Sequence, residues 1–361
     1  MTNIRTYGIA PYSIATIHGG PGAIGSLGNM SEQLSAFCGE GVIEPLQSRY
    51  TIQELINELH EQLQYNTLLP ITIIGHSWGA WLAILYAKQY PQEIKKLILV
   101  GTPPLDDKYV SLIMERRLMN LSKSEATHFQ ELLQSSLPSL EEIENLVYKS
   151  DNYSPILQCL TNKYSLPLDD KMNQLIWHEA TIMRSKGVLK HLISQLSCSI
   201  HIIHGENDPH PVEGIIVPIE NCNVNYRKYI LPNCGHSPFN EKEWKDRFYG
   251  IIASITAVIK PYYGRIPACG VFCGGCPTYT RDKRPCPGAE LNKSRCEKCS
   301  TFHLCCVEKE ITHCFQCSAF PCNKFKSFSK RWRKYGQDFA ENQKLLKQVG
   351  EIEFLKIYNE Y

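Results

Sequence analysis

The stretch Gly75-His76-Ser77-Trp78-Gly79 constrains this 361-residue chain more than any other. It follows the apolar, β-branched run 69–74, which is typical of a buried strand. It precedes residues 80–87, which are rich in helix formers. A G-x-S-x-G pentapeptide between a strand and a helix predicts a sharp turn that exposes the serine hydroxyl, with glycines where the two backbones pass closely. Because such a pentapeptide also arises by chance, the flanking strand and helix carry the prediction.

The remainder of the first 260 residues alternates between strand and helix patterns. Apolar, β-branched runs predict further strands at residues 12–17, 42–46, 96–101, 199–205 and 226–231. An apolar stripe predicts a helix over 51–63 with Thr51 as its N-cap. Residues 105–195 carry helical patterns without a clear strand and predict a helical cap. The fold class is therefore α/β, with a doubly wound, mostly parallel sheet.

Cysteine content and charge both change abruptly near residue 262. Five of the 16 cysteines lie within residues 1–260 and eleven within 269–322, while the net charge is −5 over 1–260 and +7 over 261–361. Two changes at one place predict a first domain of residues 1–262 and a second of 263–361. The overall charge of +2 gives no sign of a polyanionic partner. With no export signal and no long apolar run, a cytoplasmic protein without membrane contact is expected.

The exposed serine needs partners if it is to act as a nucleophile. A serine hydroxyl requires a base to take its proton and an acid to orient that base. Behind such a turn the acid and the histidine follow in chain order, each in a loop after a late strand. Asp208 follows the strand at 199–205, and His236 follows the strand at 226–231. The sequence therefore predicts a catalytic triad of Ser77, Asp208 and His236.

Alternatives exist for each member of this triad. Glu206 is the other acid in its loop, although the Gly-x-x-Asp spacing favours Asp208. The histidines that compete with His236 are His201, His204 and His210. Order and placement after the last strand favour His236. An ordinary turn serine is the alternative for Ser77.

An oxyanion hole is the third requirement of this chemistry. One donor is expected to be the backbone N–H after the nucleophile, that of Trp78. The other is expected from the loop after the first predicted strand, at Gly19 or Gly20, where glycine lets the backbone approach the developing charge. One such donor contributes about 10²–10³ in rate.

With these motifs the chain resembles the α/β-hydrolase superfamily over about residues 8–260. The loop 18–22 is similar to the oxyanion loop of the proline iminopeptidase-like branch. The resemblance implies a serine hydrolase, without a cofactor, that cleaves a small ester, amide or short peptide through an acyl-enzyme. His76 departs from the glycine usual at that position, and the leading hairpin of the superfamily is expected to be missing or shortened. Iminopeptidases hold the substrate amine with cap glutamates, and no motif assigns this role to the cap glutamates here: Glu141, Glu142, Glu144 and Glu179.

The cysteines of the second domain have the spacing of metal ligands. The Cys-x-x-Cys pairs Cys296/Cys299 and Cys314/Cys317 are separated as in zinc ribbons and predict one site. The remaining candidate ligands, predicted to form a second site, are Cys269, Cys273, Cys276 and Cys322. A structural Zn²⁺ is expected, and an iron–sulfur cluster is the alternative because it also suits cysteine-only ligand sets. Over about residues 266–330 the segment resembles a small cysteine-rich domain family of unknown function, which implies metal binding.

Two further hypotheses remain beside the hydrolase. The basic run 330–334 could contact nucleic-acid phosphates, although a solvated helix end is the commoner explanation. A hydrolase fold can also serve as a catalytically silent scaffold, whose metal-binding tail would then mediate interaction with protein or nucleic acid.

Overall fold

The computed structural model of the chain describes residues 3–135, 137, 139–156, 162–222, 224–292 and 296–359. It divides the chain into two units, residues 1–245 and 246–361. The boundary predicted from composition lies later, at 262/263. Nearly all of the helix Lys245–Thr256 therefore belongs to the second unit instead of the first.

A seven-stranded sheet lies at the centre of the first unit in the described part of the chain. Its strands are β1 (Ile4–Tyr7), β2 (Tyr12–Ile17), β3 (Gly41–Pro45), β4 (Ile71–His76), β5 (Ile94–Val100), β6 (Ser199–Gly205) and β7 (Tyr226–Leu231). They are ordered β1-β3-β2-β4-β5-β6-β7. All neighbouring pairs are parallel except β1 with β3. This mostly parallel order confirms the α/β class predicted for the first unit.

Strand β1, which no sequence pattern predicted, is the one strand that the described residues place before β2, in keeping with a missing or shortened leading hairpin. It pairs antiparallel with β3, from Ile4 opposite Pro45 to Tyr7 opposite Val42. Tyr7 is buried and donates a hydrogen bond from its hydroxyl to Glu44 over 2.6 Å. A strand of four residues shows too few alternations for its pattern to be recognised in the sequence.

Helices follow most of the strands. Those packed around the sheet or following its strands are α1 (Gly28–Cys38), α2 (Ile52–Asn66), α3 (Trp78–Gln89) and, after the cap, α9 (Glu213–Glu220). Between β5 and β6 lie the helices of the cap, α4 (Val110–Asn120), α5 (Lys123–Gln134), α6 (Leu140–Asp151), α7 (Asp170–Ser185) and α8 (Val188–Ile193). These cap helices occupy the stretch where the sequence predicts a helical insertion.

Local signals explain why the elements around the serine form where they do. Thr51 caps α2, since its hydroxyl accepts the Glu54 N–H. The predicted apolar stripe of α2 is buried in the core of the unit, together with every residue of β4 and α3 from Trp78 to Ala87. Each large apolar side chain buried in this way contributes roughly 1.5–3 kcal/mol relative to exposure.

The second unit has little regular structure apart from helices. These are α10 (Lys245–Thr256), α11 (Pro277–Thr280), α12 (His303–Glu308), α13 (Asn323–Trp332) and α14 (Phe339–Asn359, broken at Gly350). Buried glutamines fasten the cysteine-bearing loops. Gln343 donates to the Ala268 carbonyl and accepts the Phe315 N–H, at 2.9 and 2.8 Å. Across the described residues of both units, no helix combines the length and apolar character that crossing a membrane requires.

Candidate active site

Ser77 occupies the turn between β4 and α3 in a strained backbone conformation. Its φ is 52° and its ψ is −122°, outside the regions that side-chain-bearing residues favour. Holding a residue there costs on the order of 1–3 kcal/mol, which surrounding packing must offset. The Ser77 N–H donates to the Val100 carbonyl over 2.9 Å and fixes the turn to the end of β5. The predicted sharp turn is therefore present.

The two glycines of the pentapeptide stand where no side chain fits. A Cβ atom at Gly75 would collide with the Gly79 carbonyl oxygen. One at Gly79 would collide with the Ile17 carbonyl oxygen at the end of β2. These contacts are between backbone atoms, which cannot move aside as a flexible side chain can. The close approach of strand and helix explains the glycines of the motif.

The predicted triad residues follow neighbouring strands of the sheet. Ser77 comes after β4, Asp208 after β6 and His236 after β7, and β4 to β7 lie side by side in parallel. The carboxyl ends of parallel strands meet at one edge of the sheet, where α/β folds place their ligand sites. Gly101, directly after β5, packs against the His236 ring, since a Cβ there would lie 2.9 Å from Nδ1.

Asp208 and His236 are joined by a hydrogen bond inside the protein. His236 donates from Nδ1 to Oδ2 of Asp208 over 2.8 Å. With its proton on Nδ1, a neutral His236 carries a lone pair on Nε2 for the base role. In the described part of the chain, no hydrogen bond joins the Ser77 hydroxyl to this ring, and such bonds often tighten only when substrate binds.

Burial and charge set the protonation of this pair. Burial alone would raise the pKa of the Asp208 carboxyl, but the neighbouring imidazoles and their hydrogen bonds hold it well below its usual range. Burial likewise lowers the pKa of His236, and the Asp208 carboxylate more than offsets this, so the pKa ends above its ordinary value. An ionised Asp208 beside His236 is the arrangement that stabilises an imidazolium during catalysis.

Other histidines surround the same carboxylate. His210 donates from Nδ1 and from its backbone N–H to Oδ1 of Asp208, both at 2.9 Å. His204 donates from Nε2 to the His210 carbonyl over 2.8 Å and lies 3.4 Å from Oδ2 of Asp208. Burial lowers the pKa of both histidines. The rival acid, Glu206, is exposed. The role of His210 was not predicted, because its proximity to Asp208 in the sequence does not show where its ring points.

A metal ion could also be considered for this cluster. The potential ligand atoms of Asp208, His210 and His236 lie within 4.8 Å of one another. Two histidines and one carboxylate form a common metal-binding set. Here the carboxylate of Asp208 instead accepts hydrogen bonds from Nδ1 of both histidines.

The predicted oxyanion donors border Ser77. A Cβ at Gly19 would lie 3.0 Å from Cβ of Ser77, so the backbone of this loop passes directly beside the nucleophile. Gly20 has a φ of 65°, a left-handed conformation that glycine adopts without strain. Trp78 is the first residue of α3, and its N–H has no partner within the helix. Both backbone segments can therefore approach a developing negative charge.

His76, which departs from the expected glycine, fastens the loop of His236. It donates from Nε2 to the His236 carbonyl over 3.2 Å. Its ring lies 4.8 Å from the ring of His236, measured between centroids. Burial and the neighbouring His236 lower the pKa of His76 to about 3, so it is neutral at physiological pH. The geometry gives His76 a positioning contact to the loop.

The cap reaches the loops of Asp208 and His236 through polar contacts that no sequence pattern indicated. The His236 N–H donates to the Asp151 carbonyl over 2.6 Å. The Asp151 carboxylate accepts Nε and Nη2 of Arg117, at 2.7 and 2.8 Å. Asn120 donates to the carbonyl of Asn207, next to Asp208, over 3.2 Å. These partners are far apart in the sequence and become neighbours only in the folded chain.

The predicted metal ligands of the second unit lie close to other cysteines. The thiol of Cys269 interacts electrostatically with those of Cys296 and Cys299, and the thiol of Cys273 with those of Cys276 and Cys296. A small cavity, here named the cysteine cavity, is lined by the other cysteines, Cys305, Cys306, Cys314, Cys317 and Cys322. The pair 314/317 therefore lines a cavity that the pair 296/299 does not line. Cys314 is nevertheless close to the first group, since its thiol interacts with that of Cys269 and it packs against the same apolar cluster as Cys299.

The basic run at the end of α13 is partly neutralised. Lys330 lies 3.3 Å from Asp246, and Arg333 donates from Nε to Asp338 over 2.7 Å. Arg333 is also half-buried. These ion pairs leave fewer positive charges for phosphate contacts than the sequence indicates.

The chain belongs to the alpha/beta hydrolase fold family, whose model matches residues 34–243, more than half of the chain. This confirms the resemblance stated for the first domain and supports the prediction that the protein is a hydrolase enzyme. The match ends before the cysteine-rich segment and does not bear on it.

Curated relatives are proline iminopeptidases. The chain is 30% identical over 101 residues to the enzyme from Lactobacillus delbrueckii subsp. bulgaricus, a match that covers 24% of this chain and 34% of that protein. The chain thus spans about a third of that relative's length. It is 23% identical over 227 residues to a protein from Mycoplasma pneumoniae named as a proline iminopeptidase, covering 55% of this chain and 73% of that one.

A solved structure shows the same fold. The proline iminopeptidase of Mycobacterium smegmatis superposes with a TM-score of 0.50 at 13% sequence identity. The superposition covers 70% of this chain and 93% of that structure. At this identity the likeness is one of fold.

Proposed function

We propose that the protein is a serine hydrolase that uses Ser77 as nucleophile, His236 as general base and Asp208 as the orienting acid. The observation that carries the proposal is the 2.8 Å hydrogen bond from His236 to the buried Asp208, made at the sheet edge where the strained Ser77 lies. A strained serine and a charge-stabilised histidine on one edge of the sheet are the groups that acyl transfer requires.

Each group has a defined step in this reaction. Nε2 of His236 takes the proton of Ser77 as its oxygen attacks the substrate carbonyl carbon. The backbone N–H groups of Trp78 and of Gly19 or Gly20 stabilise the oxyanion. His236 then returns the proton to the leaving group, and the acyl-enzyme forms. A water molecule, deprotonated by His236, releases the acid and restores Ser77.

The proposed substrate is a small ester, amide or short peptide. The named relatives are proline iminopeptidases, which favours a peptide or amino-acid amide. The cap glutamates give no direct support for recognition of a free amine. Glu179 accepts the Ile52 N–H over 2.9 Å, and Glu142 lies 2.7 Å from His128 at the surface. We therefore propose the substrate class without choosing the iminopeptidase specificity.

A fluorophosphonate probe tests the nucleophile directly. We expect labelling of the intact protein and its loss in Ser77→Ala. Ser13→Ala is the matched control, because Ser13 is also in the first unit and hydrogen-bonds Glu40 at the surface. Absence of labelling in the wild type, or equal labelling of Ser77→Ala, would support the silent-scaffold alternative. A panel of p-nitrophenyl esters, proline anilide and other amino-acid anilides then separates esterase from peptidase activity.

We also propose that the second unit binds a structural metal ion, with Zn²⁺ favoured. The Cys-x-x-Cys segments adopt a shared turn that supports this. The Cys276 N–H donates to the Cys273 carbonyl, and the Cys317 N–H donates to the Cys314 carbonyl, at 2.9 and 3.1 Å. Such a turn directs both thiols of a pair to one side, as zinc sites require. An iron–sulfur cluster is the alternative that metal analysis excludes or establishes.

A further inference from the structure

The cysteine cavity is small and rich in sulfur. Its volume is about 40 Å³, and apart from its cysteines it is lined mainly by apolar residues and by Lys309. A site for an organic ligand is typically ~300–1,000 Å³, so this cavity is too small for a substrate. Space for one water or ion needs only about 10–15 Å³. The cavity is therefore of a size suited to an ion.

The backbone around the cavity is held before any ion binds. The segment Cys314–Gln316 forms a 3₁₀ turn that places Cys314 and Cys317 at its two ends. Gln316 accepts the N–H groups of Thr312 and His313, at 2.8 and 2.9 Å, and so closes the turn. The ligand pair therefore needs little ordering on binding.

One pair of sulfur atoms already has the separation of zinc ligands. Sγ of Cys306 lies 3.9 Å from Sγ of Cys314. With Zn–S bonds of about 2.3 Å, a tetrahedral site places its sulfurs ~3.8 Å apart. No three cysteine sulfurs are yet gathered into one coordination sphere among the described residues, so the other thiols must close around the ion.

Charge around the cavity favours thiolates once a cation is present. Cys322 is the N-cap of α13, a ten-residue helix whose N-terminus favours negative charge. Lys309 also lines the cavity, and its ammonium complements the negative charge of a four-thiolate site. Cysteine ligates zinc as the thiolate, so binding of the ion releases the thiol protons.

We propose that Cys306, Cys314, Cys317 and Cys322 bind one Zn²⁺ as a four-thiolate site within the cysteine cavity. The proposal rests on metal binding by the second unit and assigns its ligands. Binding removes four protons, one from each thiol, and leaves a site of charge −2 beside Lys309. Cys305 also lines the cavity, but the proposed set takes Cys306 from these two neighbours because its sulfur lies 3.9 Å from that of Cys314. This ligand set replaces the pairing of 314/317 with 296/299 that spacing predicts.

Metal content of the full-length chain, purified after growth with zinc, tests the assignment. We expect Cys306→Ser and Cys322→Ala each to lose about one zinc equivalent relative to the wild type. Cys322→His should retain it, because histidine also ligates zinc. Cys305→Ser and Cys286→Ser, which change cysteines outside the proposed ligand set, should keep the wild-type content. An unchanged circular dichroism spectrum shows that each variant is folded, and retained fluorophosphonate labelling at Ser77 shows that its first unit is intact.

The outcomes separate the two proposals. A wild-type chain without metal overturns both metal binding and the ligand assignment. Zinc that persists in Cys306→Ser and Cys322→Ala but is lost in Cys299→Ser overturns the assignment alone and restores the pairing predicted from spacing. Iron with acid-labile sulfide in place of zinc overturns the zinc site. In a Co²⁺-loaded chain, loss of sulfur-to-metal charge-transfer intensity in Cys322→Ala and its retention in Cys305→Ser support the four-thiolate site.

Discussion

His210 donates from its ring to Oδ1 of Asp208 over 2.9 Å, on the carboxylate oxygen that His236 leaves free. The Asp208 side chain is completely buried, so both bonds form away from water, where charge-assisted hydrogen bonds are strong. Rotation of the carboxylate would break one of them. His210 thus holds Asp208 in the orientation that His236 requires and acts as a positioning residue.

Replacing His210 by alanine should therefore weaken catalysis without abolishing it. The backbone N–H of residue 210 still reaches Oδ1, so only one donor is lost. Loss of a hydrogen bond to a buried charged group costs about 1–3 kcal/mol, and we expect kcat/KM to fall about tenfold or more. His201→Ala is the control, because His201 lies within β6 and its ring hydrogen-bonds Ser199 instead of Asp208. An unchanged kcat/KM in His210→Ala would contradict the positioning role.

The pH dependence of kcat/KM should report the raised pKa of His236. The base must be neutral, so protonation at low pH removes activity. Because Asp208 raises the pKa of His236, the ascending limb should lie above the ordinary histidine value of about 6.5. Asp208→Asn removes that charge, so the limb should move to lower pH and kcat should fall by on the order of 10³–10⁴. A limb that stays in place in this variant would show that another group titrates.

Gly19→Ala should lower activity strongly while changing stability little. The new methyl would lie 2.9 Å from Nδ1 of His76 and 3.0 Å from Cβ of Ser77, so the loop must shift away from the nucleophile. We expect a small loss of stability and a fall in kcat of about 10²–10³, the contribution of one oxyanion donor. Gly39→Ala is the control, since a Cβ there meets open space although its φ is 72°. Equal activity of Gly19→Ala and the wild type would place the donor elsewhere.

The ion pair of Arg117 and Asp151 should stabilise the cap. Both side chains are largely buried, with 20% and 10% exposure, so Arg117→Gln leaves the Asp151 carboxylate without its cation. We expect the free energy of unfolding to fall by roughly 2–3 kcal/mol, less than for a fully buried pair. The exposed pair Lys228 and Glu220 provides the control, for which Lys228→Gln should cost less than about 1 kcal/mol. Denaturant unfolding of Arg117→Gln and Lys228→Gln measures the two losses of unfolding free energy. Equal losses would contradict a stabilising role for the ion pair of Arg117 and Asp151.

Local patterns located most of the first unit. Strands β2 to β7, helix α2 with its Thr51 cap, and the turn at Ser77 all follow from periodicity, caps and glycines, which act between residues close in the chain. Strand β1 could not be predicted from the sequence, because it is short and depends on pairing with β3, more than thirty residues away. The choice of Asp208 over Glu206 was favoured by spacing, and the structure places Asp208 beside His236 while Glu206 faces solvent.

By itself, the sequence determined the kind of fold and the types of residue that can act at its sheet edge, because chain order and hydrophobic periodicity are local properties. Only the tertiary structure decided which of these residues meet. It placed His210 on Asp208, joined Arg117 of the cap to Asp151 beside His236, and brought the sulfur of Cys306 next to that of Cys314. Such contacts depend on which segments the folded chain brings together, and the spacing of residues along the sequence does not determine that.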